Sequence, residues 1–527
     1  MRKQTKIAAV VSAAALLALG ASITSFAAAK GTWMMVDGEW YCYDKNGDVY
    51  ENTFCSSNGK EYYVGDDGML VRSSWVEYDG DYYFVNSSGA KIVNDWRLTT
   101  PYEDEDADEE WFYFQSTGKR ADNKKILYKG STFFFDADGK MLTGWVTADG
   151  DDVVNEENDI KVGTTYFCDE TGARVESGWV YTTEPATADD DADADEYWYY
   201  LKKATGKPAT GKQSNINGQI YLFNEEGQMQ YGWVARSDSS TKNFVQLDKE
   251  DEEQDMILLS EYADSEVYYC GDEDDGHAKK NKWLKTWLPS DTEEEEDDKE
   301  WFWFDKNGKL YRASGSDATV KAQKYKLEEG DLVYDGGSIT GVEKKKVNSK
   351  DYWFTKDGVM LSKFYLINDA MYYFGGSDDG SMKTGSQTVK DNTGDSYKFY
   401  FYTKDTYGYK KGAGVVGNQS NKLYYYGMLI QADDYKYQLA TIAKDGVDYS
   451  FIVNSNGTIQ HSKSTEYKED GDVLIATGIK NASGKATETK FVENGQFKYA
   501  ISNEANNWDT VSKNVADIDM SGFVQGK

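Results

Sequence analysis

The chain contains little proline, cysteine and histidine: 4, 4 and 2 residues among 527. Four cysteines in a chain of this length do not make a disulfide framework. Cys42, Cys168 and Cys270 each lie within an aromatic run, where a thiol is expected to act as a small core residue. A disulfide between Cys42 and Cys55 is the alternative, because the two are near in sequence. With two histidines, a histidine-based metal or catalytic site is not expected.

Basic residues are also in the minority. Lys and Arg number 58 against 91 Asp and Glu, which gives a formal net charge of −33. This balance argues against a nucleic-acid partner, because phosphates require basic side chains for neutralisation. An acidic surface suits cationic ligands or simply solubility.

Long apolar runs are absent except at the start of the chain. Three basic residues among the first six precede an apolar stretch over 7–23, and small residues follow at 27–29. This order predicts a secretory signal peptide over 1–29, with a membrane anchor as the alternative. Elsewhere no apolar run approaches the ~18 residues of a membrane span, so we expect an exported protein with no membrane span after signal cleavage.

Glycine and aromatic residues are abundant and recur together. The chain has 49 Gly, 41 Tyr, 22 Phe and 15 Trp, and an aromatic pair or triplet is repeatedly followed by a short polar run and a glycine. Gly47, Gly68 and Gly89 are each 21 residues apart, as are Gly118 and Gly139. A period near 20 residues indicates a repeat architecture.

Each repeat has the pattern of a β-hairpin. Tyr, Phe, Trp and Val favour strands, and pairs such as Asp79-Gly80 and Asn217-Gly218 are typical of tight hairpin turns. A single hairpin is marginally stable, whereas stacked hairpins share a core. The sequence therefore predicts an all-β solenoid of stacked hairpin repeats with little helix and, in some repeats, long acidic insertions.

Acidic runs account for the longer repeat spacings. Three of the four end directly at an aromatic strand, which places them at hairpin tips; the runs are 103–110, 189–196, 248–255 and 293–300. Three interpretations stay open: solvated loops of like charge, weak calcium binding by carboxylates, and steering of cationic groups toward the aromatic rows.

Alternation along a strand puts neighbouring aromatic side chains on opposite faces. The central ring of each triplet is expected in the core. The Gly-Trp tryptophans and the first ring of each run are expected to stay partly open, and such rings suggest ligand stacking. Three rings around a small void make a cage for a quaternary ammonium through cation–π attraction, and several weak sites gain by multivalency. The same rings could stack on the sugars of a neutral glucan.

Several segments resemble the cell-wall-binding, or choline-binding, repeat family of Gram-positive bacteria, which shares its pattern with glucan-binding repeats. Met-Leu-Thr-Gly-Trp-Val at 141–146 and Gly-Gln-Met-Gln-Tyr-Gly-Trp-Val at 227–234 are similar to the family's link between units. Asp-Tyr-Tyr-Phe at 81–84 and Asp-Tyr-Trp-Phe at 351–354 are similar to its second strand. The resemblance covers residues 31–430.

The resemblance implies a left-handed solenoid in which choline groups of teichoic acid bind between units. Each would be held by the Gly-Trp ring, the first ring of the aromatic run, a ring of the next unit and a nearby methionine. From the residues themselves we expect no cofactor, no metal site and no catalytic residue. Carried over, the candidate ligand-binding residues are Trp33, Trp40, Trp75, Tyr82, Trp145, Tyr166, Trp179, Trp198, Trp233, Met69, Met141 and Met229.

The predicted organisation is a signal peptide at 1–29, Trp-rich repeats with acidic insertions at 30–310, divergent Trp-poor repeats at 311–430, and degenerate repeats or a capping β module at 431–527. The predicted function is non-catalytic attachment to choline-bearing teichoic acid or a related wall polymer by a secreted, wall-associated protein. The alternatives are an extracellular glucan-binding protein and a structural or adhesive surface protein acting through its acidic loops, with weak calcium binding there. No Gly-x-Ser-x-Gly motif and no catalytic Cys–His pair occurs.

Overall fold

The structure is a computed structural model. It describes residues 28–104, 106–150, 152–153, 165–185, 194–237, 242–247, 259–262, 265–289, 298–314, 320–406, 408–433, 436–444, 447–460, 467–469, 472–475, 492–493 and 496–497. The predicted signal peptide, apart from Ala28 and Ala29, and most of the acidic runs after the first lie outside these ranges. Within them, no helix is long and apolar enough to cross a membrane.

The chain divides into two compact units. The first comprises Met1–Tyr231, Ser240–Val245 and Glu273–Gly276, and the second comprises Gly232–Ser239, Gln246–Asp272 and His277–Lys527. The described residues hold forty strands and one 3-10 turn, Leu259–Tyr262, and no α-helix, which confirms the predicted all-β fold.

Eighteen strands lie in the first segment of the first unit, Met1–Tyr231. They are β1 (Ala29–Lys30), β2 (Thr32–Val36), β3 (Glu39–Tyr43), β4 (Thr53–Ser57), β5 (Lys60–Val64), β6 (Ser74–Tyr78), β7 (Asp81–Val85), β8 (Asp95–Thr99), β9 (Glu110–Phe114), β10 (Lys124–Tyr128), β11 (Ser131–Phe135), β12 (Gly144–Asp149), β13 (Asp152–Val153), β14 (Thr165–Cys168), β15 (Gly178–Thr183), β16 (Glu196–Leu201), β17 (Gly211–Ile216) and β18 (Gln219–Phe223).

The remaining strands follow in chain order. They are β19 (Trp233–Arg236), β20 (Phe244–Gln246), β21 (Val267–Tyr269), β22 (Lys282–Thr286), β23 (Glu300–Phe304), β24 (Lys321–Glu328), β25 (Asp331–Thr340), β26 (Val342–Val347), β27 (Lys350–Thr355), β28 (Phe364–Ile367), β29 (Ala370–Tyr373), β30 (Gly385–Lys390), β31 (Ser396–Phe401), β32 (Gly417–Gln419), β33 (Lys422–Tyr425), β34 (Met428–Leu429), β35 (Tyr437–Lys444), β36 (Val447–Asn454), β37 (Tyr467–Glu469), β38 (Asp472–Ile475), β39 (Val492–Glu493) and β40 (Gln496–Phe497).

The hairpin β6–β7 shows how one repeat is built. Its strands pair antiparallel, with Trp75 opposite Phe84. The turn between them has positive φ at both Asp79 (54°) and Gly80 (74°), as expected for a two-residue hairpin turn with Asp-Gly at its centre. After β7, the side-chain oxygen of Asn86 accepts hydrogen bonds from the backbone N–H groups of residues 88 and 90 at 2.9 and 3.0 Å. This Asx turn reverses the chain toward the next repeat.

We call the residue two positions after this second turn's glycine the linker residue. It bridges the last residue of its own second strand, as Val64 with Leu70 and Phe114 with Arg120. Its N–H also donates to a carbonyl of the preceding hairpin, for example Arg120 to Tyr82 at 2.8 Å. An equivalent hydrogen bond therefore joins most consecutive hairpins and fixes how they stack. One exception is the linker residue Pro208, which has no N–H to donate.

The turn glycine is required by the same stacking. Gly139 has a φ of +75°, and a Cβ added there would lie 2.5 Å from Cδ of Arg120, the linker residue of the preceding hairpin. The same relation holds between Gly172 and Met141. Each turn thus covers the linker side chain beneath it, which explains why glycine recurs with the repeat.

The core consists mainly of aromatic side chains from both faces of the second strands. Phe112, Phe114, Phe134, Phe135, Tyr199 and Phe223 are fully buried in the first unit, and Tyr268, Phe302, Phe304, Phe354 and Phe374 in the second. The four cysteines are buried free thiols. Burial raises the pKa of Cys168 to about 12, which suits a core residue rather than a reactive one.

The repeat geometry continues beyond residue 430. The hairpin β35–β36 is followed by a bridge between Val453 and Ile459. Gly457 lies against Leu429 in the same manner as the earlier turn glycines. The hairpin stack therefore extends to residue 460, while a distinct capping module over the remaining residues stays a prediction.

Candidate ligand cages at the hairpin junctions

A junction is the space between two consecutive hairpins, and its linker residue lies at its base. Three rings surround the first junction: Trp33 on β2, Trp40 on β3 and Tyr62 on β5. Trp33 and Tyr62 have centroids 5.7 Å apart at an interplanar angle of 70°. Together with Leu70 these rings line a recess of about 340 Å³. We call this group of residues the Trp33 cage.

One ion pair stands at the rim of the Trp33 cage. Arg72, which also lines the recess, places Nη1 3.0 Å from Oε2 of Glu39. Both side chains are partly exposed, so the pair is screened and contributes little to stability. The indole Nε1 of Trp33 is buried without a hydrogen-bond acceptor among the described residues.

The junction between β6–β7 and β8–β9 has the same ring positions but is occupied by the chain itself. The guanidinium carbon of Arg120 lies 4.4 Å from the ring centroid of Tyr82, 5.6 Å from that of Trp75 and 6.0 Å from that of Phe112. Its side chain is 2% exposed. We call this group the Arg120 cage.

The tip of the long hairpin β8–β9 closes the Arg120 cage. The ring of Tyr102 lies 4.8 Å from that of Tyr82, and its hydroxyl donates to Glu77 at 3.2 Å. The carboxylate of Glu103 lies 3.3 Å from Nη1 of Arg120, and Asp122 lies 2.6 Å from Nε. The buried cation is therefore both ring-bound and charge-paired, as burial of a charge requires.

Lys91 takes the same place at the junction between β4–β5 and β6–β7. Its Nζ lies 4.8 Å from the ring centroid of Phe54 and 5.3 Å from that of Tyr83. Glu61 stands where Tyr82 stands in the next hairpin, and it forms an ion pair with Lys91. A carboxylate here substitutes for one ring of the cage.

Other junctions combine three rings with a methionine as the linker residue. Trp179 lies 6.3 Å from Trp198 and 4.8 Å from Tyr221, and Met229 packs in the same cluster. The structure thus brings together three residues that the sequence nominated, Trp179, Trp198 and Met229.

Two further Met-lined junctions contain rings that sequence reasoning missed. Trp96 lies 6.4 Å from Trp111 and 4.9 Å from Phe133. Met141 packs in that cluster. A similar set in the second unit comprises Trp283, Trp301, Tyr352 and Met360. Gly-Trp and Ser-Trp pairs do not mark these rings, because Trp96 follows Asp95 and Trp283 follows Lys282. A methionine two residues after a turn glycine is the sequence signal that marks both junctions.

Three nominated placements need correction. Trp145 and Tyr166 are not brought together, because Trp145 pairs with Phe167 and the adjacent Tyr166 points to the opposite face. Met69 is one residue short of the linker position and 37% exposed, so Leu70 lines the recess in its place. Trp233 is 5% exposed and belongs to a core cluster.

The indole N–H groups of three tryptophans are satisfied by the following hairpin. Trp75 donates to the carbonyl of Thr100, Trp145 to that of Thr183 and Trp233 to that of Trp287, each at 2.8 Å. Each acceptor lies on the first arm of a long hairpin, shortly before its proline. The long hairpins therefore pack over these rings.

The acidic tips show no metal centre in the described part of the chain. No group of three or more His, Cys, Asp or Glu side chains is arranged to hold a metal ion there. Most of the runs 189–196, 248–255 and 293–300 lie outside the described residues, so weak calcium binding stays a prediction for them.

Residues 73–91, which span the hairpin β6–β7, match the family described as "Putative cell wall binding repeat". Glucosyltransferase-I of Streptococcus downei is 25% identical over 365 residues, 66% of this chain and 19% of that protein. Glucosyltransferase-S of Streptococcus mutans is 26% identical over 200 residues, 38% of this chain and 11% of that protein. The chain thus spans less than a fifth of the length of these relatives.

Two solved structures from Streptococcus pneumoniae are similar to this chain at low scores. The modular autolysin LytC has 18% identity and a TM-score of 0.34, covering 60% of this chain and 54% of that one. CbpJ has 18% identity and a TM-score of 0.28, covering 72% of this chain and 99% of that one.

Proposed function

We propose that this chain, as a protein with cell-wall-binding repeats, is a secreted, non-catalytic protein of the Gram-positive cell surface that attaches to choline-bearing teichoic acid or a related wall polymer. The observation that carries the proposal is the Trp33 cage, a recess walled by three aromatic rings. The signal peptide predicted over 1–29 supports export, and wall attachment would keep the protein at the surface.

The geometry of the Trp33 cage favours a compact cation. Trp33 and Tyr62 meet at 70°, so they form two walls rather than one flat platform. A quaternary ammonium presents methyl groups in all directions and contacts several walls, at about 0.5–2 kcal/mol per cation–π contact. The carboxylate of Glu39 at the rim is paired with Arg72, so the two charges largely cancel at the recess and the rings carry the attraction.

Several cages along one unit would bind a polymer more strongly than a single site. The Trp33 cage and the Met-lined junctions at Trp96 and Trp179 lie in the first unit. If each binds choline at millimolar affinity, linkage through the polymer raises the overall affinity by about 10²–10⁴-fold. Acidic hairpins suit such a role, because they repel neither choline nor other cationic groups.

A glucan ligand is the second candidate. It is favoured by the match of 66% of this chain to a glucosyltransferase. Bound protein should be released from purified wall by millimolar free choline and not by soluble glucan. Release by glucan alone would instead establish the second candidate.

A structural or adhesive protein that acts through its acidic loops is the third candidate. The double variant Trp33→Ala and Trp40→Ala separates it from our proposal, with Met34→Ala as the matched control, since Met34 is exposed on β2. We expect the tryptophan variant to lose choline-releasable wall binding in part and the control to retain it. Unchanged binding that requires calcium would support the acidic loops.

A further inference from the structure

We propose that the linker residue determines which junctions can take a cationic ligand, and that Arg120 acts as an internal ligand that closes its own cage to a quaternary ammonium. The inference deepens the proposed function and rests on it for the identity of the ligand. Its own basis is a comparison of equivalent side chains within the first unit.

The equivalence of the junctions is set by the backbone. The N–H of Leu70 donates to the carbonyl of Trp40 at 2.9 Å, and the N–H of Arg120 donates to that of Tyr82 at 2.8 Å. The two acceptor residues, Trp40 and Tyr82, each supply the ring that their cage takes from the second strand. Leu70 and Arg120 therefore start from the same place and direct their side chains at equivalent sets of rings.

The side chains end differently. Leu70 is short and leaves the recess of about 340 Å³ between Trp33, Trp40 and Tyr62. Arg120 reaches the centre of its cage and lies within 6.0 Å of all three rings. A guanidinium and a quaternary ammonium are attracted by the same ring faces, so Arg120 occupies the position that the ligand would take.

Basic linker residues behave alike throughout the described part of the first unit. Lys91 lies over Phe54 and Tyr83, Arg120 over its three rings, and Arg174 lies 5.3 Å from the ring of Tyr166. None of these side chains points freely into solvent: Lys91 is 11% exposed, Arg120 2% and Arg174 14%. A ring-bound internal cation is thus a regular feature of the basic linkers.

An internal cation also outcompetes a dissolved one. Arg120 is part of the chain, so it enters the cage without the loss of translational and rotational freedom that a dissolved ligand incurs. Glu103 and Asp122 neutralise it at 3.3 and 2.6 Å, and a ligand that displaced it would leave both carboxylates without their partner. Glu103 begins the first acidic run, so part of that insertion holds the Arg120 side chain in its cage.

The test is a reciprocal exchange in the full chain, with choline as the probe. Calorimetric titration should show one more choline bound per chain in Arg120→Met than in wild type, because methionine places no cation between the rings. Methionine is also the linker residue at the neighbouring junction, at Met141. Leu70→Arg should bind one fewer. Arg97→Met is the matched control, since Arg97 is exposed on β8 and lies outside the cage, and its stoichiometry should be unchanged.

Far-UV circular dichroism establishes that each variant is folded, and Arg120→Lys gives a second reading because it keeps a cation in the cage and should bind as wild type does. A folded Arg120→Met that gains no choline overturns the inference, whatever wild type does. Wild type that binds no choline overturns the proposed choline ligand, whatever Arg120→Met does. The two failures are therefore distinguishable.

Discussion

The Trp33 cage and the Arg120 cage are built by one backbone design and differ in their contents. Both have a ring on the first strand, a ring at the start of the second strand and a ring from the next hairpin. In one, Leu70 leaves a recess; in the other, Arg120 fills it and the hairpin tip covers it. Aromatic rings in a repeat are therefore insufficient to identify a ligand site, because the linker residue at the base of the cage decides whether the space between the rings is open.

The tryptophans of closed and open junctions differ in whether the indole N–H group has a hydrogen-bond acceptor. Trp75, Trp145 and Trp233 each donate to a carbonyl of the following long hairpin, whereas Trp33 has no acceptor among the described residues. A ring whose polar group is satisfied by the fold is held for stability. The ring of Trp33 instead lines a recess together with those of Trp40 and Tyr62, which suits contact with a ligand.

The largest expected effect sharpens the contrast between core and cage tryptophans. Trp233→Ala removes a 5% exposed side chain and should cost about 3–5 kcal/mol, seen as a lower melting temperature in calorimetry. Trp33→Ala, at a half-buried ring, should lower the melting temperature much less. Equal shifts in the two variants would mean that the Trp33 ring is a core residue as well.

A smaller effect is expected for a single ring of the open cage. Trp40→Ala removes one cation–π partner and should weaken choline binding at that cage by about 2- to 30-fold. Tryptophan fluorescence titration gives the affinity, with Met34→Ala as the control. An unchanged titration would show that choline binds elsewhere.

The smallest expected effect concerns the charges of the Arg120 cage. Burial raises the pKa of Asp122, while the hydrogen bond and charge of Arg120 lower it. An acid whose pKa is higher in the folded chain stabilises the fold fully below its unfolded pKa of about 3.9, and that contribution is lost as pH rises through the folded value. Arg120→Met removes the lowering influence, so its melting temperature relative to wild type should fall as the pH rises above about 4.

The control for this pH series is again Arg97→Met, whose melting curve should run parallel to that of wild type. A parallel curve for Arg120→Met would mean that Asp122 is not coupled to the cage cation.

The hairpin repeat was predictable from sequence because its signals are local. Asp79-Gly80 sets a turn through its own backbone conformation, and the glycine spacing reports the stacking of one turn on the preceding linker residue. The burial of Cys42, Cys168 and Cys270 follows equally from their aromatic neighbours. Periodicity and turn chemistry thus suffice for the all-β stack.

The cages were less predictable because they depend on register and on contacts between hairpins. Tyr166 directly precedes Phe167, the residue that pairs with Trp145, so its ring points to the opposite face of the hairpin. Met69 misses the linker position by one residue. The contacts of Arg120 can be inferred only once the packing of consecutive hairpins is known. Its partners Trp75 and Glu103 lie 45 and 17 residues before it in the chain.

The most direct measurement is a crystal structure of the chain grown in saturating choline. We predict density for a quaternary ammonium between Trp33, Trp40 and Tyr62, with Arg120 still seated against Tyr82. An empty Trp33 recess, or choline bound beside Trp75 with Arg120 displaced, would contradict the account.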